Sequence, residues 1–493
     1  MKAQALIASL FGAASLAVCA APTDLDTTFG GTGTVITDIN GSDFATSVAV
    51  QTDGKIVVAG YCVNGAVICV ARYSATGVLD ATFNTTGMVQ TPVNSGNDRA
   101  LGLAIQGDGK IVVSGACERP IVVFPGAFTV EFCVVRYTTT GALDTSFNGT
   151  GIVQVALGGN GFDSGNAVAI QSDGKIVVPG TCADRISSIA DICIARFTST
   201  GVLDTTFNAT GIVVTAVGSG FEIGQSLTVQ PDGKIVVGGS CDSGATQQFC
   251  ILRYAANGLL DTTFNATGIL SFPIGSGSAL ANSLTLQADG KYVLAGRCSN
   301  GANLDFCMAR VTTAGALDST FNSTGKVITV MGGAIDVADK VAIDADGKIV
   351  LAGHCEVSTN NFFPCMARYT TVGLLDTTFN TTGTFIASAN PGPNVQRGMT
   401  LQSDGKIVLV GSTNNNFLVS RYEGSPTPPC RLDIDGDGLV LATTDSLIHA
   451  RIAIGLSGNA VTNGIGFPVA ATRKTWTAIR AYLVASCAMI LPP

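Results

Sequence analysis

Residues 51–60 read Gln-Thr-Asp-Gly-Lys-Ile-Val-Val-Ala-Gly, and this stretch decides the fold. Asp53 and Gly54 form a strong short-range signal for a hairpin turn, because an Asp-Gly pair tolerates the positive φ angles that such turns require. Residues 46–51 before the turn alternate apolar with small side chains, and residues 55–60 contain a β-branched run. The stretch therefore predicts two antiparallel strands joined by a tight turn.

The same hairpin signal recurs along the chain. Asp-Gly-Lys occurs with a period of roughly sixty residues. Its seven aspartates are Asp53, Asp108, Asp173, Asp232, Asp289, Asp346 and Asp404. A second marker, Leu-Asp-x-x-Phe, also occurs seven times and ends at Phe29, Phe83, Phe147, Phe207, Phe264, Phe321 and Phe379. Repeats of this length with several short strands are typical of β-propeller blades.

Each unit contains the signals for four strands. In the first unit, residues 68–73 form a third strand signal after the hairpin, and residues 87–91 form a fourth. Small residues lie in the middle of every first strand, as the crowded strand beside a propeller axis requires. They are Ala49, Ala104, Ala169, Thr228, Thr285, Ala342 and Thr400. The sequence thus predicts an all-β, seven-bladed β-propeller of four-stranded blades over residues 21–424.

The repeated motifs resemble those of a known family. Gln-x-Asp-Gly-Lys-Ile-Val-Val, Ala-Arg-Tyr and Leu-Asp-Thr-Thr-Phe-Asn follow one another as in the delta-60 repeat family of bacterial exported proteins, and the resemblance covers residues 25–422. It implies a β-propeller and a secreted or cell-surface setting. The family has no established catalytic residues, so the resemblance implies none here.

Composition limits the class of partner. The chain has 13% charged residues and a formal net charge of −8. Nucleic acid and anionic membranes are polyanions that an acidic surface repels, so we predict no nucleic-acid partner. A cationic ligand or a metal ion fits the overall charge better. No transmembrane segment is predicted, and a monomer is the default expectation.

The N-terminus has the features of a signal peptide. Lys2 precedes an apolar run at residues 5–18, and Ala20 and Ala21 offer a cleavage site. We predict residues 1–20 as a signal peptide and the mature protein as periplasmic, cell-surface or extracellular. Residues 16–19 also resemble a lipobox in which Cys19 would carry a lipid. Simple cleavage is the favoured interpretation, because the residue before Cys19 is a valine where a small residue is expected.

Six units carry one cysteine at the end of the second strand and one at the start of the third. In an exported chain, this placement predicts disulfides within each unit. The pairs are Cys62 and Cys69, Cys117 and Cys133, Cys182 and Cys193, Cys241 and Cys250, Cys298 and Cys307, and Cys355 and Cys365. Metal binding is not predicted, because no further Cys or His completes four ligands. The seventh unit has Ser412 and Val419 instead and should lack a disulfide.

An arginine and an aspartate recur eight residues apart. They are Arg72 and Asp80, Arg136 and Asp144, Arg196 and Asp204, Arg253 and Asp261, Arg310 and Asp318, and Arg368 and Asp376. We predict ion pairs that hold the turn between the third and fourth strands; the alternative is a ring of anion sites. Arg421 lacks a following aspartate, whereas Asp26 precedes the first unit. We therefore expect the termini to meet there and residues 33–38 to complete the last blade.

The sequence favours a binding or scaffold protein over an enzyme. It has two histidines, His354 and His449, and neither lies beside a recognisable nucleophile motif. We interpret His354 as a rim or packing residue. The expected partner is a protein or a glycan. The alternative is a secreted hydrolase or lyase that uses rim carboxylates, since Asp and Glu are plentiful.

The predicted binding surface is the loop face, which comprises the loops that enter the first strands and the loops between the second and third strands. Ten residues before five of the Asp-Gly-Lys aspartates lies a carboxylate: Asp43, Asp98, Asp163, Glu222 and Asp336. These carboxylates predict an acidic rim; the alternative is ordinary turn chemistry in which each binds nearby backbone amides. The longest insert, residues 118–132, adds apolar residues that include Phe124 and Phe128.

Residues 425–429 form a Pro-rich linker, and residues 430–493 are predicted as a small helical calcium-loop domain. Cys430 and Cys487 bracket this domain, and a disulfide between them is predicted to close it. Helices are expected from residue 444 or 445 to residue 454 and over residues 474–486. The run Asp-Ile-Asp-Gly-Asp-Gly resembles the EF-hand-like calcium loop of dockerin-like modules. The predicted calcium ligands are Asp433, Asp435, Asp437, the carbonyl of Leu439, and Asp445. The alternative is a solvated Asp-Gly turn that caps the helix; no organic cofactor is predicted.

Overall fold

The computed structural model describes residues 21–424 except 95, 122–127, 158–160, 184–188 and 388–393, and beyond them residues 448, 459–462, 465 and 474–479. The predicted signal peptide, linker and calcium loop, Phe124, and the pair Cys430 and Cys487 lie outside the described residues. So does the first predicted C-terminal helix, apart from residue 448.

Residues Leu25–Tyr422 form one compact unit. In the C-terminal segment, the described residues include one short helix, α1 (Asn459–Thr462), and a helical turn at residues 476–479 within the second predicted helix. No helix in the described part of the chain is long and apolar enough to cross a membrane.

The strands follow the repeat. Strand β1 (Thr34–Thr37) precedes the first unit, which contains β2 (Phe44–Val50), β3 (Ile56–Cys62), β4 (Val67–Tyr73) and β5 (Met88–Thr91). The second unit contains β6 (Asp98–Ile105), β7 (Ile111–Pro120), β8 (Phe128–Tyr137) and β9 (Ile152–Val155). The third contains β10 (Phe162–Gly165), β11 (Ala169–Ile170), β12 (Ile176–Ala183), β13 (Ala190–Phe197) and β14 (Ile212–Thr215).

The remaining units have the same order. The fourth contains β15 (Ile223–Val229), β16 (Ile235–Asp242), β17 (Gln247–Tyr254) and β18 (Ile269–Phe272). The fifth contains β19 (Ala279–Leu286), β20 (Tyr292–Ser299), β21 (Leu304–Val311) and β22 (Lys326–Thr329). The sixth contains β23 (Asp336–Ile343), β24 (Ile349–Ser358), β25 (Asn361–Tyr369) and β26 (Thr384–Ile386), and the seventh contains β27 (Asn394–Leu401), β28 (Ile407–Thr413) and β29 (Asn416–Tyr422).

Successive strands of each unit pair in antiparallel fashion, so the fold is all-β and propeller-like. Five sheets have four strands each. The second and third units share a nine-stranded sheet, because Phe162 in β10 makes a parallel bridge to Val130 in β8. The predicted pairing of the N-terminal segment with the last unit is also present: β1 pairs with β29 from Thr34 opposite Ser420 to Thr37 opposite Phe417. This pairing covers the edge that β29 would otherwise expose.

Two glycines shape the hairpin at the start of each unit. Gly54 has a φ of 82°, which glycine adopts without strain in the Asp-Gly turn. Gly60 in β3 lies against a β-bulge in β2, where the register shifts between Ala45 and Ser47. A Cβ atom on Gly60 would overlap the carbonyl oxygen of Phe44. Glycine occupies this position in every unit, which lets the first strand approach the second closely at its bulge.

The hydrophobic core lies between neighbouring sheets. Among the described residues, seven buried clusters are each shared by two consecutive units. In one cluster, Phe83 of the first unit packs with Ile111 and Tyr137 of the second. Another cluster joins Val410 of the seventh unit to Ile56 of the first. The apolar faces of each sheet are thus buried by packing against the adjacent sheets.

One polar network repeats in every unit. In the first, Arg72 Nε lies 2.8 Å from Asp80 Oδ2, and Lys55 Nζ lies 3.4 Å from the same oxygen. The guanidinium carbon of Arg72 lies 4.7 Å from the centroid of the Phe83 ring. Arg72 Nη1 also donates a hydrogen bond of 2.6 Å to the carbonyl oxygen of Thr139 in the second unit. One side chain therefore joins the hairpin, the Leu-Asp-x-x-Phe turn and the next unit.

The six predicted ion pairs are confirmed, with Nε–Oδ2 distances of 2.7 or 2.8 Å. The seventh arginine pairs with the N-terminal aspartate as expected: Arg421 Nε and Lys406 Nζ each lie 2.7 Å from Asp26 Oδ2. Arg421 Nη1 donates a hydrogen bond of 2.5 Å to the carbonyl oxygen of Ala75 in the first unit. The arginines do not form a ring of anion sites, because a carboxylate of the same network neutralises each charge.

Six disulfides join the second and third strands as predicted, with Cα–Cα distances of 5.7 to 5.9 Å. In the first unit, Cys62 lies opposite Val67, and Cys69 lies opposite Gly60. In the seventh, the corresponding positions are Thr413, opposite Asn416, and Leu418, opposite Gly411. The predicted assignment of Ser412 and Val419 to the cysteine positions is therefore wrong by one residue in each strand.

The network makes stability depend on pH. Burial alone would raise the pKa of Asp80, but hydrogen bonds from Thr82 and the charges of Arg72 and Lys55 outweigh burial and lower this pKa to about 2. The unfolded chain has an aspartate pKa of about 3.9. Because the folded pKa is the lower one, the ionised carboxylate stabilises the fold above about pH 4, and this contribution is lost as the pH falls towards 2.

We therefore expect Asp80→Asn to lower the melting temperature most at neutral pH, with a difference from the unsubstituted protein that shrinks between about pH 4 and pH 2. Thermal melts followed by circular dichroism across this range provide the measurement. Asp108→Asn serves as the control, since the Asp108 side chain is 55% exposed and belongs to the hairpin turn. A deficit of Asp80→Asn that stays constant with pH would contradict the assignment.

The pairing of the two ends predicts a second effect. Asp26→Ala leaves the buried Arg421 and the partly buried Lys406 without their shared carboxylate, so we expect a loss of stability of about 3 kcal/mol. Chemical denaturation followed by circular dichroism, which reports on the β-sheets, measures this loss. Asp24→Ala removes an exposed carboxylate two residues earlier and should leave the denaturation curve nearly unchanged. Equal curves for the two variants would refute the role of Asp26.

Candidate functional site

The five carboxylates of the predicted acidic rim are buried, with relative exposures of at most 1%. They are Asp43, Asp98, Asp163, Glu222 and Asp336. In the first unit, Asp43 Oδ2 accepts hydrogen bonds of 2.7 and 3.2 Å from the backbone amides of Ile39 and Asn40. The other four accept from amides of the corresponding loops. They do not form an accessible rim. The turn interpretation accounts for the oxygens that accept these amides, whereas Oδ1 of Asp43, Asp98 and Asp336 is buried without a hydrogen-bond partner.

Their electrostatics agree with this role. Burial raises the pKa of Asp43, Asp98, Glu222 and Asp336, while hydrogen bonds from the loop amides act in the opposite direction. Each of these side chains fastens the loop that enters its first strand. Among the residues that the structure describes, no group of three or more His, Cys, Asp or Glu side chains is placed to hold a metal ion.

The loop face instead carries one position at which the units differ. Six first strands have a β-bulge seven residues before the Asp-Gly-Lys aspartate, and the third unit breaks between β10 and β11 just after this position. A bulge leaves one residue outside the ladder and redirects its side chain. The seven residues are Thr46, Leu101, Asn166, Gln225, Asn282, Asp339 and Arg397. All of them line one cavity of about 330 Å³, which we call the axial cavity because every unit contributes to it.

Some of these residues also connect neighbouring units. Thr46 Oγ1 donates a hydrogen bond of 2.8 Å to the carbonyl oxygen of Ala100 in the second unit. Asn282 Nδ2 donates one of 3.0 Å to the carbonyl oxygen of Ala338 in the sixth, and Asn166 makes the equivalent bond to the fourth. The wall of the axial cavity is therefore held by bonds between units.

Three cationic side chains line the axial cavity: Arg99, Lys340 and Arg397. Arg99 and Arg397 are exposed, and Lys340 is half-buried. Within the described ranges, the salt bridges involve none of the three. Burial lowers the pKa of Lys340, and the charge of Asp339 acts in the opposite direction. The lining thus favours an anion, contrary to the cationic ligand that the net charge of −8 suggests.

The carboxylate in this lining belongs to Asp339, which is engaged with His354. His354 Nδ1 lies 2.6 Å from Asp339 Oδ2, and both residues are buried. The ring of His354 meets that of Phe362 edge to face, with centroids 5.5 Å apart. His354 therefore has the packing role predicted for it, and it holds the Asp339 carboxylate at the sixth bulge.

A second cavity of about 840 Å³ lies on the loop face across the second, third and fourth units. We call it the loop groove. Its apolar lining includes Phe128, Phe162 and Phe221, and the last two are 45% and 46% exposed. The rings of Phe128 and Phe162 meet edge to face, with centroids 6.5 Å apart. Phe128 is thus the predicted insert residue that the structure places in a cavity.

The axial cavity and the loop groove adjoin each other, since Arg99, Asn166 and Gln225 line both. The guanidinium carbon of Arg99 lies 5.3 Å from the centroid of the Tyr61 ring, which supports its position at the border. An apolar, aromatic surface therefore leads directly to a cationic one.

Sequence reasoning missed the axial cavity. The sequence nevertheless contains a signal for it. The residue seven positions before each Asp-Gly-Lys aspartate differs in size and charge among the units, whereas the hairpin beside it is nearly constant. Strand patterns with a period of two give no indication of a bulge, so they do not show that this variable side chain turns towards the cavity.

Comparisons with known proteins identify the repeat. Matches to a family described as a domain of unknown function (DUF5122) beta-propeller cover the chain between residues 51 and 424. The matched segments are 51–83, 122–147, 171–207, 230–264, 287–321, 345–379 and 402–424. No curated protein sequence matches significantly.

Several solved structures are similar in fold. The polysaccharide lyase Uly1 has 10% identity and a TM-score of 0.44, with 77% of this chain and 90% of that chain covered. A PL25 ulvan lyase bound to -[GlcA(1-4)Rha3S]- has 9% identity and a TM-score of 0.45, with 79% and 96% covered. Sqt1 of Chaetomium thermophilum, bound to the N-terminus of the ribosomal protein L10, has 14% identity and a TM-score of 0.42, with 79% and 98% covered. At these values none of them bears on the function of this chain.

Proposed function

We propose that this chain, built of DUF5122 beta-propeller repeats over residues 51–424, is an exported glycan-binding protein. Its seven units close into a seven-bladed propeller, and the loop groove holds the glycan. The chain acts by binding and not by catalysis.

The disulfides support export, and the contacts between the first and last units support closure of the propeller. Six disulfides are stable in an oxidising compartment and rare in the cytosol. The predicted signal peptide at residues 1–20 agrees with this setting. Closure is supported by the pairing of β1 with β29 and by the buried cluster that the seventh unit shares with the first.

The observation that carries the function is the composition of the loop groove. Phe162 and Phe221 expose nearly half of their surface inside a concave site, beside the amide groups of Asn166 and Gln225. Ligand sites combine such apolar walls with a few polar groups that fix orientation. A sugar ring matches this combination, because its C–H face packs on an aromatic ring while its hydroxyls hydrogen-bond to amides.

The shape favours a glycan over a protein partner. Cavities of about 300 to 1,000 Å³ are typical of sites for small ligands, whereas a stable protein interface buries about 800 Å² on each side. The loop groove, at about 840 Å³, belongs to the first class. Capture of a protein segment in the groove is the competing result of the test below.

The alternative is a hydrolase or lyase that uses rim carboxylates, and the burial of the five candidate carboxylates favours binding over it. Glycosidases need two carboxyl groups that face the substrate. The five candidate carboxylates are buried in their own loops, and Asp339 in the axial cavity is bonded to His354. We therefore retain binding as the proposed activity.

The groove assignment predicts that Phe162→Ala and Phe221→Ala each weaken oligosaccharide binding about tenfold, because each removes an aromatic wall. A glycan array identifies the ligand, and isothermal titration measures its affinity. Leu259→Ala is the control, since Leu259 is 58% exposed but lies in the turn between the third and fourth strands. Undiminished glycan binding by both Phe variants, or binding only of unglycosylated peptides, would move the function away from glycans.

The C-terminal segment carries a separate proposal that rests on its sequence. Asp433, Asp435, Asp437 and the carbonyl of Leu439 have the spacing of an EF-hand-like loop, and Asp445 lies one position after the usual closing carboxylate. We expect the full chain to bind one calcium ion at millimolar or lower concentration and Asp435→Ala to weaken this binding about tenfold. Isothermal titration with calcium measures both, with Asp24→Ala as a matched control. Equal titrations for Asp435→Ala and Asp24→Ala would rule out the site.

A further inference from the structure

We propose that the axial cavity is an oxyanion subsite that accepts a carboxylate or sulfate group, and that the glycan held on the loop face is therefore an acidic one. The second part rests on the proposed function, because the glycan carries the anion. The first part stands on the axial cavity alone.

The repeat shows that Lys340 is a departure from the blade pattern. Six residues before each Asp-Gly-Lys aspartate, the other units have small residues: Ser47, Gly102, Ala167, Ser226, Ser283 and Gly398. Some of these serve the neighbouring unit; Ser283 Oγ, for example, accepts a hydrogen bond of 3.2 Å from the amide of Val341. The sixth unit replaces such a residue with a long cation that lines the axial cavity. Blade structure therefore does not account for this lysine.

The cationic side chains in the axial cavity differ from the other repeated cations in their salt bridges. Each Arg-Asp-Lys network matches its positive charges with a carboxylate. In the described part of the chain, Arg99, Lys340 and Arg397 lack such a salt bridge and converge on one cavity of about 330 Å³. The carboxylate among them, Asp339, is shared with His354. The hydrogen bond to His354 does not remove the charge of Asp339, which acts on Lys340. Three cations against one carboxylate still leave the lining with excess positive charge, which a bound oxyanion would balance.

The neighbouring groups set the chemistry of the ligand. Arg99 lines both cavities, so an anionic substituent in the axial cavity lies next to a sugar ring in the loop groove. Arginine and lysine together bind planar carboxylate and tetrahedral sulfate. A uronic acid or a sulfated sugar supplies such a group; a neutral sugar does not.

The test measures anion binding by the full chain. Sodium glucuronate and sodium sulfate are titrated at low ionic strength, with glucose as the neutral counterpart of glucuronate. We expect both anions to bind and glucose to bind at least tenfold more weakly. Lys340→Met and Arg397→Gln should each weaken the anions about tenfold, and Lys340→Arg should restore most of the affinity. Lys326→Met, on the outer strand β22, controls for the loss of one positive charge and should bind like the unsubstituted protein.

Circular dichroism melts establish that each variant is folded. No anion binding by the unsubstituted protein at tens of millimolar, or equal affinities for Lys340→Met and Lys326→Met, would overturn the subsite. A different result would contradict the proposed function alone. In that case Phe162→Ala and Phe221→Ala would leave oligosaccharide binding intact, while Lys340→Met would still weaken sulfate binding. Tight binding of neutral oligosaccharides without any anion binding would keep the groove and remove the subsite.

Discussion

The buried arginine of each unit is the interaction on which the rest of the structure depends. Arg72 contacts Asp80, Phe83 and the backbone of the next unit with one guanidinium group. Its charge is matched within the unit, so it is stable where it is buried, and its remaining donor is free to reach across. Apolar contacts between sheets are non-directional, whereas the hydrogen bonds of the arginine fix one point of each unit against the next. At the opposite end of the strands, hydrogen bonds such as that of Thr46 to Ala100 do the same.

The repeated part of the fold was predictable because every unit contains its own short-range sequence signals. Asp53 and Gly54 indicate a turn without reference to distant residues, and the eight-residue spacing of Arg72 and Asp80 persists in every complete unit. The pairing of the two ends was also predictable, because Asp26 and Arg421 are the repeated aspartate and arginine that have no partner eight residues away. The error at the seventh unit has a different origin. The spacing from the strand glycine and from the repeated arginine points to Thr413 and Leu418, as the strand register also shows, but the assignment of Ser412 and Val419 did not follow that spacing.

The site was less predictable, because it depends on which way side chains face. A carboxylate ten residues before a turn looks the same in sequence whether it faces water or its own loop; Asp43 faces its loop, and only the packed structure shows this. The sequence shows that these residues vary between units. It does not show the β-bulges that place Gln225, Asp339 and Arg397 around one cavity, because a bulge depends on how two strands pair. Phe128 was predicted from an apolar insert, whereas no such signal marks Phe162 at the start of β10 or Phe221 just before β15.

The strand β1 has a consequence for the order in which the molecule is completed. Asp26 and Arg421 are 395 residues apart. Because a polypeptide is synthesised from its N-terminus, β1 exists well before β29 does. Until then β1 has no sheet to join, and its backbone edge remains available to chaperones, proteases or another copy. The sheet made from both ends contains none of the six disulfides, so the pairing of β1 with β29 depends on hydrogen bonds, the Asp26–Arg421 ion pair and packing without a covalent link.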